Sequence, residues 1–368
     1  MHIEKSYKYR IYPNKKQINL ITKTFGCCRF VYNHFLHKSI NDYNQNKTHY
    51  DFYEASKELT KLKNEYEWLK EPDKNALQNS LKDLKMAYKY FFNGRGFPKY
   101  KRKRTHSYSY RTSCTNNNIS FCDGKIKLPK LGWVKTKNKQ VPNGRIINAT
   151  VSLSPSGKYY VSICCTDVII EKYPNTYKYI GIDLGIKYFA IMSNGVKIEN
   201  PHYLKMSLNK LAKLQRNLSR KTSGSMNWNK ARVKVARQYE KIANQRRDFL
   251  QKLTTELIRD YDIICIEDLN VQAIMDINDT VMCRNISDVS WYEFGRELQY
   301  KADWYGKKII LVDRYFASSQ ICHCCGHKFP ITKDLSVRTW ECPNCGITLD
   351  RDVNAAINIL NEGMKQVS

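Results

Sequence analysis

Cys322-His-Cys-Cys325 and Cys342-Pro-Asn-Cys345 are two CxxC pairs sixteen residues apart, each followed at once by a glycine, Gly326 and Gly346. A CxxC turn sets two thiolates on one side of a tight loop, and two such turns close a tetrahedral site for a soft metal. Four sulfur ligands leave no open position for a substrate, so the spacing predicts a structural Zn2+ held by Cys322, Cys325, Cys342 and Cys345. His323 and Cys324 fall inside the first turn as bystanders. A redox dithiol would need only one pair and a thioredoxin-like surround, which the sequence does not supply. The thirteen cysteines are odd in number, and the opening residues Met1-His2-Ile3-Glu4-Lys5 lack the apolar core of a secretory signal. Both points argue against a disulfide framework and for a protein that stays inside the cell.

The rest of the chain must accommodate a net charge of +28, from 62 Lys and Arg against 34 Asp and Glu. A surplus of that size makes a compact chain repel itself, and a polyanion is its natural counterweight. The cations are spread along the sequence rather than gathered beside an amphipathic anchor, which favours nucleic acid over a membrane surface. Apolar runs such as Ile263 to Ile266 fall far short of the ~18 residues of a membrane span. With 368 residues, 42% of them apolar, the chain is long enough for two or three packed units.

Three acidic motifs stand out. Tyr179-Ile-Gly-Ile-Asp183-Leu-Gly185 reads as an apolar strand running into a glycine-eased bend, and a second strand follows to Met192. An ionised carboxylate in such a strand is costly unless a cation holds it, which makes Asp183 a metal-ligand candidate; an acid at an exposed strand end is the alternative. Asp262-Ile-Ile-Cys-Ile-Glu267-Asp268 is a second apolar run that ends in acids, with Asp268 open to a simple turn role. Beyond the second CxxC pair, Val353, Ala356, Ile357 and Leu360 recur at helical spacing and predict a helix with one buried face. Asp350 sits where the N-cap belongs. Asp352 lies in the first turn, one i+4 step from Ala356, and is the better ligand. Two strand-borne acids and a third at a helix start suit two-metal phosphodiester chemistry, in which hard cations ~4 Å apart share carboxylate oxygens. Mg2+ or Mn2+ is implied.

Taken together, Tyr7-Lys-Tyr-Arg-Ile-Tyr-Pro13, Gly181-Ile-Asp-Leu-Gly185, Ile266-Glu-Asp-Leu-Asn270, Gln320-Ile-Cys322, Trp340-Glu-Cys342 and Asp350-Arg-Asp-Val-Asn-Ala-Ala356 resemble TnpB, the OrfB-type protein of insertion-sequence transposons. That family is related to the type V CRISPR effector nucleases, and the resemblance spans nearly the whole chain. It implies an α/β architecture: an RNase H-like RuvC nuclease domain with an inserted zinc ribbon, preceded by an amino-terminal β-barrel, or wedge, carrying a helical recognition insert. It implies that Asp183, Glu267 and Asp352 are the catalytic acids. It implies a guide RNA from the transposon end, target double-stranded DNA read beside a short flanking motif, and a prokaryotic, cytoplasmic, nucleoid-associated protein. Two other readings stay open: an RNase H-fold nuclease acting without a guide, such as a transposase or resolvase, and an RNA-guided regulator that binds without cutting.

The expected organisation is a wedge barrel over residues 1–170 with the insert at about 14–95, then a nuclease domain over 171–368. The latter carries a basic helical hairpin at 204–258 and the ribbon at 318–348. Asn14 and Gln17 read as a capping box ahead of a helix bearing Ile18, Ile21, Phe25 and Cys28. Leu77, Leu81 and Leu84 share one face of a later helix. Residues 118–168 alternate short apolar runs with turn residues, as a small barrel would. Tyr7, Lys8 and Arg10 in the first motif are candidate nucleic-acid contacts. So is the segment from Arg95 to Arg111, with seven cations and no acid, where Lys99, Tyr100, Lys101 and Arg102 combine charge with a ring and Phe97, Tyr108 and Tyr110 offer further stacking faces. From Lys205 to Lys252 there are fourteen cations and two acids on two helical patterns split by Thr222-Ser-Gly-Ser225. Leu204, Leu208, Leu211 and Leu218 should face inward on the first arm, and Ala231, Val235, Tyr239 and Ile242 on the second. The one-sided charge suggests a lining for a nucleic-acid channel, with Arg246 and Arg247 as phosphate contacts.

Overall fold

The computed structural model describes residues 2–103, 108–276, 279–334 and 336–367. Two compact units divide the chain, Met1–Ile169 and Ile170–Ser368.

The first unit opens with strand β1 (His2–Tyr12), then helices α1 (Lys15–Asn46), α2 (Phe52–Glu65) and α3 (Lys74–Phe92). The α1 start is a complete capping box: Gln17 N–H donates to Asn14 Oδ1 at 2.9 Å, and Asn14 N–H donates to Gln17 Oε1 at 3.0 Å. Ile21, Phe25, Cys28, Val31 and Phe35 of α1 bury against a core shared with Leu77, Leu81 and Leu84 of α3. Each such side chain contributes about 1.5–3 kcal/mol by leaving water. Strands β2 (Tyr108–Ser113), β3 (Ser120–Cys122), β4 (Lys125–Leu128), β5 (Gly132–Thr136), β6 (Arg145–Leu153) and β7 (Tyr159–Ile169) join β1 in one antiparallel sheet ordered β2-β6-β7-β1-β5-β4-β3. Among the described residues no strand pair joins β2 to β3. Tyr110 differs from the sequence reading: it is buried, with its ring 5.8 Å from that of Phe25, because it falls on the inward row of β2. Arg104 to Ser107 of the basic segment lie outside the described residues.

The second unit is built on a five-stranded sheet. β8 (Tyr179–Leu184), β9 (Tyr188–Met192) and β10 (Lys197–Glu199) form an antiparallel meander, while β11 (Ile263–Glu267) and β12 (Lys308–Val312) add parallel to β8, giving the order β10-β9-β8-β11-β12. Between β10 and β11 run α4 (Tyr203–Ser219) and α5 (Met226–Asp260); after β11 come α6 (Val271–Asp276), α7 (Thr280–Val289) and α8 (Trp291–Tyr305). Leu211, Ala231, Val235 and Ile242 are buried, as the helical periodicity requires, whereas Tyr239 is 47% exposed and Gln238 takes the inward place. The Tyr239 hydroxyl instead accepts from Gln215 Nε2 at 3.0 Å.

One face of this sheet, through Ile180, Ile182, Ile264 and Ile266, packs on Leu250, Leu257 and Ile258 of α5 and on Phe294 and Leu298 of α8. The other face is covered by α9 (Arg351–Met364), which follows the short hairpin β13 (Thr339–Glu341) and β14 (Thr348–Asp350). Contact there is at backbone distance. A Cβ on Gly181 would stand 2.0 Å from the Ala356 carbonyl oxygen, and one on Gly363 would stand 2.4 Å from Cys265 Sγ.

Candidate active site and metal centre

Parallel pairing places Ile182 opposite Ile266, so the next residues, Asp183 and Glu267, leave neighbouring strands at the same end and on the same face. It is the face α9 covers. Ala356 lies over Gly181, and Asp352, one helical turn earlier, is carried to the Asp183 end. The structure thereby brings together three carboxylates that lie far apart in sequence. Burial lifts the Asp183 carboxyl well above the usual carboxylate range, and the charges of Glu267 and Asp352 add to the rise, against the opposing pull of Arg351 and Arg338. Burial also raises Glu267, opposed by Ser318, whose hydroxyl donates to Glu267 Oε1 at 2.8 Å. Asp352 accepts from Arg338 Nη1 at 3.1 Å. Asp183, Arg338, Arg351 and Asp352 line one cavity of about 690 Å3 together with Lys187 and Lys205.

The raised Asp183 makes a prediction with a definite sign. The folded state holds this proton above the pH at which the unfolded chain, near pKa ~3.9, releases it. Stability from this group is therefore present at low pH and is lost as pH rises through the folded-state value. In metal-free buffer Asp183→Asn should melt at a higher temperature than the wild type at pH 7.5, with the difference closing near pH 4. Calorimetry across that range checks it; a lower melting temperature for the variant at pH 7.5 would refute the burial argument.

Asp350 is the N-cap of α9, accepting from the Asp352 and Val353 amides at 3.0 Å each. Although burial works against it, the Lys197 ammonium at 2.6 Å and those amides hold Asp350 below the usual carboxylate range. Asp268 forms an ion pair with Arg314.

The four predicted sulfurs converge. The Sγ atoms of Cys322, Cys325, Cys342 and Cys345 all lie within 4.8 Å of one another, with Cys322 to Cys345 at 3.7 Å and Cys325 to Cys342 at 3.5 Å. A tetrahedral zinc with Zn–S bonds of about 2.3 Å sets its sulfurs roughly 3.8 Å apart, so this donor set fits that ion. Gly326 and Gly346 take left-handed backbone conformations and donate their amides to the Cys322 and Cys342 carbonyls, giving the two turns the same form. Trp340 and Leu349 pack the cysteines from beneath. His323 and Cys324 stand outside the four.

Sequence reasoning missed what ties this centre to the acids. Asn354 and Asn358, at i and i+4 on α9, are buried. Asn354 Oδ1 accepts from the His323 amide at 2.9 Å, and its Nδ2 donates to the Ile321 carbonyl at 2.7 Å. Asn358 Nδ2 donates to the carbonyls of Ser318 at 2.8 Å and Ile321 at 2.6 Å. The segment Ser318–His323 is thus pinned to the helix that carries Asp352, and through the Ser318 hydroxyl it also holds Glu267. The expected single buried face of α9 is corrected by this: the helix buries a second, polar face against the first CxxC turn, and Val353 and Ile357 are only partly buried.

The nucleic-acid candidates fall in several settings. Lys8 and Arg10 lie on the row of β1 opposite the buried Tyr9 and Ile11, with the Lys8 ammonium 4.9 Å from the Tyr160 ring centre and the Arg10 guanidinium 4.9 Å from that of Tyr12. Tyr7 shares the inward row and is partly buried. Lys99, Tyr100 and Arg102 are exposed, and the Lys101 ammonium sits 4.1 Å from the Tyr32 ring centre. Arg247 is exposed on α5. Arg246 is committed internally: its Nη2 bonds Asp288 Oδ1 at 2.6 Å, and the other Asp288 oxygen accepts from the Leu204 amide.

A mixed sheet bearing acids at one end, covered by a helix that brings a third and flanked by a four-cysteine ribbon, defines an α/β fold with a candidate zinc site. Comparison with known proteins gives the family. Residues 162–278 match the OrfB_IS605 family, described as "Probable transposase", and residues 291–359 match the Cas12f1-like TNB domain. Residues 1–48 match a profile described as a helix-turn-helix domain, although here they form β1 and a single uninterrupted helix. A Streptomyces pristinaespiralis protein named as an RNA-guided DNA endonuclease is 36% identical over 375 residues, spanning 98% of this chain and 90% of its own. A protein of the same description from Escherichia coli K12 is 34% identical over 380 residues, spanning 97% and 92%. The chain belongs to the OrfB/IS605 family of TnpB-type proteins. The fold is that of a Cas12f1 in complex with guide RNA and target DNA, which superposes with a TM-score of 0.64 at 12% identity over 98% of this chain and 99% of the other. Among the described residues no helix is long and apolar enough to cross a membrane.

Proposed function

We propose that this chain is an RNA-guided DNA endonuclease that cuts guide-matched double-stranded DNA beside a short flanking motif, with a guide RNA from the transposon end. The observation that carries the reading is the convergence of Asp183, Glu267 and Asp352 on one end of the second unit's sheet. The strand order, an antiparallel meander followed by two parallel strands, supports an RNase H-like RuvC domain over 171–368, with the hairpin 204–258 and ribbon 318–348 as its additions. The wedge and its helical insert are proposed for residues 1–170, and a nucleoid-associated setting follows from the partners.

In this reading Asp183, Glu267 and Asp352 would hold Mg2+ or Mn2+, which would supply Lewis acidity to the phosphodiester. Asp183, raised by burial and by the charges of Glu267 and Asp352, suits that load, since a cation would relieve both its desolvation and the repulsion. The protein's share is geometric: two acids are fixed by strand pairing and the third by backbone contact of α9 with β8. The zinc-ribbon cysteines hold structure and leave the chemistry to the acids. Water adds to the phosphorus, the bond to one sugar oxygen breaks, and that oxygen departs as a hydroxyl.

The test is cleavage of a target plasmid library in Mg2+, with and without the candidate transposon-end RNA, beside Asp183→Ala. Cutting at guide-matched sites that needs both the RNA and Asp183 is the expected result. Cutting without RNA would favour an unguided nuclease, and RNA-directed binding without cutting would favour a regulator.

A further inference from the structure

The side chain of Arg351 is in a position that should be hard to tolerate. It is the first residue of α9, at the positive end of the helix dipole, and it is only 8% exposed. Its Nε and Nη1 atoms are buried with no hydrogen-bond partner in the described structure. Arg338, the neighbouring cation on the cavity wall, has Asp352 as a partner, whereas Arg351 acts on Asp183 and Asp334 only at a distance. Two guanidinium nitrogens buried without partners carry a desolvation cost that nothing in the described structure offsets, and a helix N-terminus makes that worse rather than better. The cost is understandable if an anion completes the site. The cavity Arg351 lines is the one that holds Asp183 and Asp352, so the anion would arrive beside the acids.

We propose that Arg351 is a catalytic residue that donates to the non-bridging oxygens of the scissile phosphodiester. This rests on the endonuclease reading above. As water's oxygen bonds to phosphorus and the sugar oxygen leaves, negative charge builds on those non-bridging oxygens, and a planar guanidinium fixed in a dry wall is suited to take it. Arg351 neither gains nor loses a proton in the step; it remains a cation throughout. Cation binding by the acids reinforces the assignment, because it neutralises the carboxylates whose field Arg351 otherwise shares.

The test uses the full chain with its guide RNA and the variant Arg351→Met, which keeps the bulk and removes the unpaired donors. Single-turnover cleavage should fall by roughly 10²- to 10³-fold, as for loss of one donor to a developing oxyanion. The melting temperature should stay level or rise, since replacing an uncompensated buried charge by an apolar group is neutral or stabilising. Once the cut is mapped, binding in Ca2+ is compared for a normal duplex and one with a neutral methylphosphonate at that position. Neutralisation should cost the wild type roughly tenfold more affinity than it costs Arg351→Met, which keeps only the part of the penalty that comes from the cations at the acids. A variant that melts lower yet cuts at the wild-type rate, or that keeps the full methylphosphonate penalty, overturns the proposal. If Arg351→Met does not fold, Arg351→Gln is read by the same ratio, and misfolding of both assigns the residue to structure and overturns it as well. Absence of cleavage by the wild type defeats the endonuclease reading itself, whereas equal cleavage by wild type and variant defeats only the assignment of Arg351.

Discussion

Gly181→Ala is expected to cut cleavage by about 10²-fold and to lower the melting temperature of the second unit, although it adds only one methyl group. The added Cβ would lie 2.0 Å from the Ala356 carbonyl oxygen, 2.7 Å from the Leu360 amide nitrogen and 2.8 Å from Leu360 Cβ. Two of these are backbone atoms inside a helix and cannot swing aside. The helix must therefore lift from β8, and Asp352 at its start moves with it. Overpacking of this kind costs about 1–3 kcal/mol, which for a unit of this size lowers the melting temperature by roughly 2–12 °C. A displacement of about 1 Å at the reacting centre can remove 10²-fold in rate. Gly295→Ala in α8 is the matched control: nothing lies within 4 Å of its would-be Cβ, so this change should leave the fold intact and gain up to ~1 kcal/mol of helix stability. Guide RNA binding measured alongside separates a local effect from global unfolding. Full cleavage by Gly181→Ala would show that α9 does not set the position of Asp352.

Removing zinc is expected to have an effect as large, by a different route. Cys342→Ser, or a strong chelator applied to the wild type, should release one zinc per chain and reduce cleavage by at least ~10²-fold, because metal binding supplies much of the folding free energy of a small ribbon. The loss travels through named contacts. Without the first CxxC turn, Asn354 and Asn358 lose the Ile321, His323 and Ser318 backbone partners that seat α9, and Glu267 loses the Ser318 hydroxyl. Buried amides without partners cost about 1–3 kcal/mol each, which adds a drive to unseat the helix. Zinc released to an indicator dye and cleavage of a guide-matched target, followed in one titration, check the coupling. Zinc release with undiminished cutting would show that the ribbon and the acids are independent.

The sequence carried some of this more clearly than the rest, for physical reasons. The CxxC spacing was legible because a metal imposes it on the local chain whatever surrounds it. The capping box at Asn14 and Gln17 and the N-cap at Asp350 were legible for the same reason: their partners are three residues away or fewer. What lay hidden depends on partners distant in sequence. Asn354 and Asn358 look like solvent-facing polar residues until the CxxC turn is placed against them, and a helix read by apolar periodicity alone was assigned the wrong extent of burial. Arg246 looked like a free cation on a basic helix until Asp288, 42 residues on, was seen to claim it. Tyr110 looked like a stacking ring among cations, but strand alternation turns it inward onto Phe25. Gly181 was noted only as part of a motif, and nothing in the linear sequence tells that a helix backbone passes over it.

The order in which the second unit's parts leave the ribosome has a consequence of its own. β8 and β11 can pair as soon as both have emerged, but the face that carries Asp183 and Glu267 stays uncovered until α9 is made, 84 residues after Glu267 ends β11. Domains fold as they emerge, with the earlier ones first. A chain halted anywhere in that interval, by a nonsense codon or a stalled ribosome, holds two of the three acids and an open sheet. It could already engage nucleic acid through its basic first unit and hairpin while being unable to assemble the third carboxylate. Vectorial synthesis thus acts as a safety catch: under the endonuclease reading, no translation product that stops before Asp352 is armed.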